Sequence, residues 1–106
     1  TYLNNCWITN WDVGALAADG GWIWVQRSDF TYNGTALCID TTQSSSWGGN
    51  LNGGNFARNG TAIEALRLPG SWMTLYVDDS TFNGNDTVTS GPAASQIDLR
   101  DTCFVS

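Results

Sequence analysis

The sequence predicts a single all-β domain, and three observations carry that expectation. Apolar and polar residues alternate in short runs: Met73, Leu75 and Val77 interleave with Trp72, Thr74 and Tyr76, and Leu66 and Leu68 with Ala65 and Arg67. That is the period-2 pattern of half-buried strands. Twelve glycines against two prolines suit many short strands joined by tight turns. No helical i, i+3, i+4 run extends beyond one or two turns. At 106 residues the chain is long enough to bury roughly two-thirds of its unfolded surface.

Taken in order, residues 1–21 read as an N-terminal extension packed on the domain. Cys6-Trp7-Ile8-Thr9 is an edge strand, residues 12–18 are a loop or one helical turn, and Trp7 and Trp11 staple the segment down. Trp22-Ile23-Trp24-Val25 is a strand whose tryptophans, with Trp72, pack into the core. Arg27 to Gly34 turns the chain, and Thr35 to Ile39 leaves as the next strand. Residues 41–56 form the longest stretch without strand character, the kind of loop that is functional or mobile. Strand 62–68 follows, then a Pro69-Gly70 turn and strand 73–77. Asp78-Asp79-Ser80 and Phe82-Asn83-Gly84 fold the chain over, Asp86 to Ser90 is a new strand, and a last strand lies near 102–105. Thr31-Tyr32-Asn33-Gly34 aligns with Thr81-Phe82-Asn83-Gly84, an internal repeat at a 50-residue offset. The predicted core sets Met73, Leu75 and Val77 against Val25, Leu37, Ile39, Leu66, Leu68 and Val88.

The run from Glu64 to Ser90 combines a strand, a Pro-Gly turn, Trp-Met-x-Leu-Tyr, and an aromatic-x-Gly followed six residues later by serine. It resembles the junction between two βγ-crystallin motifs, with Phe82, Gly84 and Ser90 in the family's aromatic, glycine and serine places. The resemblance covers residues 22–106 and implies a two-motif Greek-key β-sandwich, with motifs at 22–68 and 71–106. It also implies calcium sites. Hard cations need several oxygen ligands, and the stretches matching the family's, from Asn59 and from Arg100, lack the serine pair. Calcium is therefore not the favoured expectation and no cofactor is expected; Asp78, Asp79, Asp101 and Glu64 are the residues that would hold such an ion.

Composition narrows function by exclusion. The net charge is −6, with four arginines and no lysine, a surface that should repel nucleic acid and anionic membranes. The absence of histidine removes Ser-His-Asp and Cys-His catalysis and histidine-ligated metals. No apolar run approaches the roughly 20 residues of a membrane span. The Thr1 start reads as that of a mature chain whose signal peptide has been removed. The acids are scattered apart from Asp78-Asp79, so catalysis is not expected.

Three cysteines allow three pairings, and spacing does not choose among them. Cys6–Cys103 closes the largest loop and gains most in the chain-entropy picture. Three Asn-x-Thr sequons, at Asn33, Asn59 and Asn85, lie on turn-prone sequence and point to glycosylated exposed loops in a secreted protein. The expected function is that of a small, monomeric, secreted, non-enzymatic protein of effector or toxin type that binds an extracellular protein. A carbohydrate-binding module and a structural or calcium-binding crystallin-like protein are the alternatives. Trp47, with Asn50, Asn52 and Asn55, is the candidate contact set for a protein or glycan partner, because a tryptophan among serines and glycines has no strand neighbours to bury it.

Overall fold

The computed structural model describes residues 2–18, 23–41, 47–67, 73–92 and 97–105. Numbered in chain order, its strands fall into three sheets. The first holds β1 (Tyr2–Asn4), β4 (Ile23–Gln26), β7 (Trp47–Asn52), β10 (Met73–Asp78) and β13 (Ile97–Arg100). The second holds β2 (Trp7–Thr9), β5 (Asp29–Thr31), β8 (Asn55–Ala57), β11 (Thr81–Asn83) and β14 (Cys103–Val105). The third holds β3 (Val13–Ala18), β6 (Thr35–Thr41), β9 (Thr61–Arg67) and β12 (Thr87–Ser90). Every pairing among them is parallel.

The chain is thus a β-solenoid, and the expected antiparallel Greek-key sandwich is overturned. Parallel neighbours cannot be joined by a tight hairpin; each needs a crossover of a dozen residues or more. Here the crossover is the other two sides of the coil. Tyr2 pairs with Trp24, Trp24 with Asn50, Asn50 with Tyr76 and Tyr76 with Asp98, so rungs recur at 22, 26, 26 and 22 residues. The predicted 50-residue repeat slips by two residues and skips a copy: Thr31 and Asn83 both pair with Ala57. Residues 12–18, expected as loop or helical turn, supply β3, and the expected loop 41–56 supplies β7 and β8. The Pro69-Gly70 turn lies outside the described residues.

The interior is filled by inward rows from all three sides, two each from the first and third sheets and one from the second. Ile23, Val25, Leu51, Leu75 and Val77 come from the first sheet, Phe30, Phe56 and Phe82 from the second, Leu37, Ile39, Ile63 and Ala65 from the third. All are buried, and the three phenylalanines continue to Phe104 as a face-to-face stack at 5.0, 5.0 and 5.4 Å between centroids.

Two corners repeat from coil to coil with one residue in the left-handed region. Asn5, Arg27, Gly53, Asp79 and Asp101 turn the chain from the first sheet to the second; Asn10, Tyr32, Arg58 and Gly84 turn it from the second to the third. Asp78-Asp79-Ser80 is therefore a corner and not a hairpin tip. Left-handed backbone costs a non-glycine residue about 1–2 kcal/mol, and the stacked rungs hold it. Rung-to-rung bonds run round the corner, from Arg27 N–H to the Asn52 carbonyl (3.0 Å) and from Arg58 N–H to the Asn83 carbonyl (2.9 Å). Beside the first corner the buried Ser80 hydroxyl accepts from Gly54 N–H and donates to the Asp78 carbonyl.

The solenoid also rules out the Cys6–Cys103 clip. Cys6 lies in the first coil and Cys103 in the fifth, four rungs apart; at about 4.8 Å per rung that is roughly 19 Å. A disulfide tolerates a Cα separation of about 7 Å. All three cysteines are free.

Candidate binding face

Alternation along the first sheet decides what its outer side offers. Ile23 and Val25 point inward and are fully buried, so Trp24 and Gln26 point out. In-register stacking repeats that choice at each rung. One outward row reads Tyr2, Trp24, Asn50, Tyr76, Asp98, and the next Asn4, Gln26, Asn52, Asp78, Arg100. Trp24 is 50% exposed and Tyr76 39%. Tyr2 meets Trp24 edge to face at 6.5 Å and donates its hydroxyl to Gln26 Oε1 at 2.9 Å.

A groove of about 430 Å³ runs over this face, lined by Tyr2, Trp24, Gln26, Asn50, Asn52 and Asp78, with Val25 at its floor. A smaller hollow of about 180 Å³, bordered by Gln26, Arg27 and Asn52, adjoins it. Asp78, the one carboxylate among the described residues lining the groove, is held by Arg100 through Nε to Oδ1 (3.1 Å) and Nη2 to Oδ2 (3.2 Å). The same guanidinium lies 4.9 Å from the Tyr76 ring centroid on this face. The site therefore offers aromatic rings with amide donors and acceptors between them, and its acid is already satisfied.

Of the residues picked out by sequence, Asn50 and Asn52 lie in the groove. Trp47 opens β7, and its side chain is outside the described residues. Asn55 is on the second sheet between Asp29 and Thr81, away from the groove. The four carboxylates considered for calcium do not converge. Asp78 is paired with Arg100 on the first sheet, Asp79 and Asp101 occupy successive corners, and Glu64 is on the third sheet beside Cys38. Among the described residues no group of three or more Asp, Glu, Cys or His side chains is placed to hold a metal.

Trp24 was expected in the core, and Trp7 and Trp11 as staples. All three are exposed, Trp7 at 73%. The signal that places Trp24 outside was present: two buried-type residues, Ile23 and Val25, flank it at strand spacing. Strand parity, not the tendency of tryptophan to be buried, decides the face that Trp24 takes.

The sequons also change character. Asn33 and Asn59 are buried, not on exposed loops, and with Asn85 they form a ladder through the second corner. Asn33 N–H and Nδ2 both donate to Asn59 Oδ1 (3.0 and 3.1 Å), and Asn59 N–H and Nδ2 both donate to Asn85 Oδ1 (2.9 Å each).

On the third sheet the Cys38 thiol donates to Glu64 Oε1 at 3.4 Å. Burial, then that bond and the neighbouring charges of Glu64 and Asp40, push its pKa up to about 11. A thiol so placed is a packing residue rather than a nucleophile.

The fold and the groove together define a three-sided parallel β-solenoid with an aromatic and amide face. No protein-family profile, curated protein or solved structure matches the chain.

Proposed function

We propose that the chain is a non-enzymatic glycan-binding solenoid that takes a carbohydrate along the outer face of its first sheet. One observation carries this: Trp24 and Tyr76, both exposed, flank the outward amide of Asn50 in a single row, with Gln26 and Asn52 in the row beside it. Sugar rings present C–H faces that pack on aromatic rings and hydroxyls that pair with amides, which both donate and accept. Trp24 and Tyr76 are two rungs apart, roughly 9–10 Å, so an extended oligosaccharide can contact both. The partner is an extracellular glycan. In this proposal Asn50 and Asn52 supply the amides, and Tyr2, Trp24 and Tyr76 the aromatic platform.

The test is calorimetric titration with a panel of neutral and acidic oligosaccharides, using wild type and Trp24→Ala. At least one glycan should bind wild type, and Trp24→Ala should weaken it tenfold or more with the melting temperature nearly unchanged. Absence of binding across the panel, or equal binding by the variant, would sink the proposal.

A second reading, a protein-binding effector, is favoured by a different observation. The first coil exposes Trp7, Trp11, Val13 and Leu16, and Asp12 is the single charge between residues 2 and 18. Large exposed apolar residues with few charges are the composition of an interface core. A Trp7→Ser/Trp11→Ser variant that loses a cell response while keeping glycan affinity would favour this reading over the first.

A further inference from the structure

The three Asn-x-Thr sequences take the same place in successive coils, at the second corner. The asparagine is the ladder rung. In the first two the middle residue passes against the preceding coil: a Cβ on Gly34 would lie 2.8 Å from the Asp12 carbonyl oxygen, and one on Gly60 2.6 Å from that of Gly34, while the third has Asp86 in this place. The threonine opens the third-sheet strand, its N–H bonded to the coil below at 2.8 Å for Thr35 and Thr61 and 2.9 Å for Thr87. The ladder thus accounts for the asparagine and close packing for Gly34 and Gly60, independently of any glycan, while the first coil turns the same corner with Trp11-Asp12-Val13.

The ladder also consumes the atom that a glycan would need. Asn33 Nδ2 donates both its protons, to the Ile8 carbonyl at 3.1 Å and to Asn59 Oδ1 at 3.1 Å. Asn59 Nδ2 does the same, to the Phe30 carbonyl at 3.0 Å and Asn85 Oδ1 at 2.9 Å. These side chains are 3% and 2% exposed. N-glycan transfer forms a bond from Nδ2 to the sugar C1 and breaks the C1–O bond to a lipid-pyrophosphate donor. The lipid pyrophosphate leaves and one amide proton is released. In the solenoid that proton is already in a buried bond, and no space is open for the sugar that replaces it.

We infer that N-glycan transfer to Asn33 or Asn59 and formation of the solenoid exclude each other. Both asparagines accept a glycan only on the unfolded chain, and a glycan once attached blocks the second corner from closing. The two sequons then act as a switch between modification and folding in any secretory route that carries the transferase.

The test translates the full chain, fused behind a cleavable signal peptide, into glycosylating microsomes beside two variants and maps site occupancy by mass spectrometry in protease-resistant and protease-sensitive fractions. Leu51→Asp puts a carboxylate in the fully buried interior and keeps the chain unfolded. Thr35→Val/Thr61→Val removes both sequons and leaves the ladder asparagines in place. The resistant wild-type fraction should carry bare Asn33 and Asn59, the Leu51→Asp chain should be occupied at both, and the double variant should enlarge the resistant fraction. A glycan on Asn33 or Asn59 in the resistant fraction overturns the inference. So does a Leu51→Asp chain with both sites bare, since the sequons would then not be acceptors even when unfolded.

Discussion

Phe30 and Phe56 stack face to face in the interior, ring centroids 5.0 Å apart and planes inclined by 4°. They are adjacent rungs of the second sheet, Phe30 on β5 paired with Phe56 on β8. Phe82 continues the stack on the far side of Phe56 at 5.0 Å. A parallel in-register solenoid creates such a column from any inward position that keeps its residue type.

Phe56 is enclosed on both faces, so Phe56→Ala removes two ring contacts and leaves a cavity. It should cost about 3–5 kcal/mol, read as a lower urea midpoint. Phe104 ends the described stack and is about half exposed. Phe104→Ala should cost no more than about 1–2 kcal/mol, since less apolar area leaves water there in the first place. Equal losses at the two positions would show that the stack is not the core element described.

Asn59 predicts a loss of another kind. Its Oδ1 accepts from the buried Asn33 N–H, and its Nδ2 donates to the Phe30 carbonyl. Asn59→Ala takes the Asn59 Oδ1 partner from the buried Asn33 N–H and one donor from the Phe30 carbonyl. A buried unsatisfied group costs about 1–3 kcal/mol, so the variant should lose several times what an exposed Asn83→Ala loses. Asn59→Asp should be worse still near neutral pH, because a carboxylate cannot donate to the Phe30 carbonyl or to Asn85 Oδ1. A melting curve for Asn59→Ala that overlays wild type would refute the ladder.

Gly49 tests an inward row of the first sheet. It is paired between Ile23 and Leu75, and a Cβ built on it would collide with the Ile23 carbonyl oxygen and approach Ile23 Cγ2 to 2.8 Å. Gly49→Ala therefore has to push adjacent rungs apart or move Ile23, and overpacking of this kind costs about 1–3 kcal/mol. Thermal melting would check it; a neutral or stabilising effect would mean that Ile23 has room to give.

Much of the interior was legible, and its arrangement was not. Val25, Leu37, Ile39, Leu75 and Val77 are fully buried as their alternation predicts, and Val88 packs partly against them. Leu66 is only half-buried, and Leu68 and the side chain of Met73 lie outside the described residues. Alternation fixes which face a residue takes, but it is identical for an antiparallel sandwich and for one side of a solenoid. The distinguishing signal is a recurring period of 20–50 residues. It was present in Asn33-Gly34-Thr35 and Asn59-Gly60-Thr61, 26 residues apart. The alignment on Thr31 and Thr81 hid it, because a two-residue slip preserves strand parity. The groove was half legible. Asn50 and Asn52 stood out as amides in a glycine-rich stretch, while Trp24 was assigned inward by residue type against the parity of Ile23 and Val25.

Cys38 gives a prediction in pH. Its thiol is pushed up to about 11 from an ordinary value of 9.0, first by burial and then by its bond to Glu64 and the charges of Glu64 and Asp40. Between those values the unfolded chain has lost the proton and the folded chain has kept it. The native state therefore binds more protons, and stability falls as pH rises through the window. The contribution is fully present below pH 9 and gone above about 11, with an upper size of about 2–3 kcal/mol. Wild type and Cys38→Val should keep a constant stability difference from pH 6 to 8, and wild type should lose ground to the variant from 9 to 11. Thiol labelling is an independent check. At pH 8 a thiol near 11 is only about a thousandth thiolate, and the thiolate is the reacting form. The exposed Cys103 should label at least tenfold faster than Cys38. Parallel pH curves for wild type and Cys38→Val, together with equal labelling rates, would show that Cys38 does not sit in the buried, acid-flanked position on the third sheet.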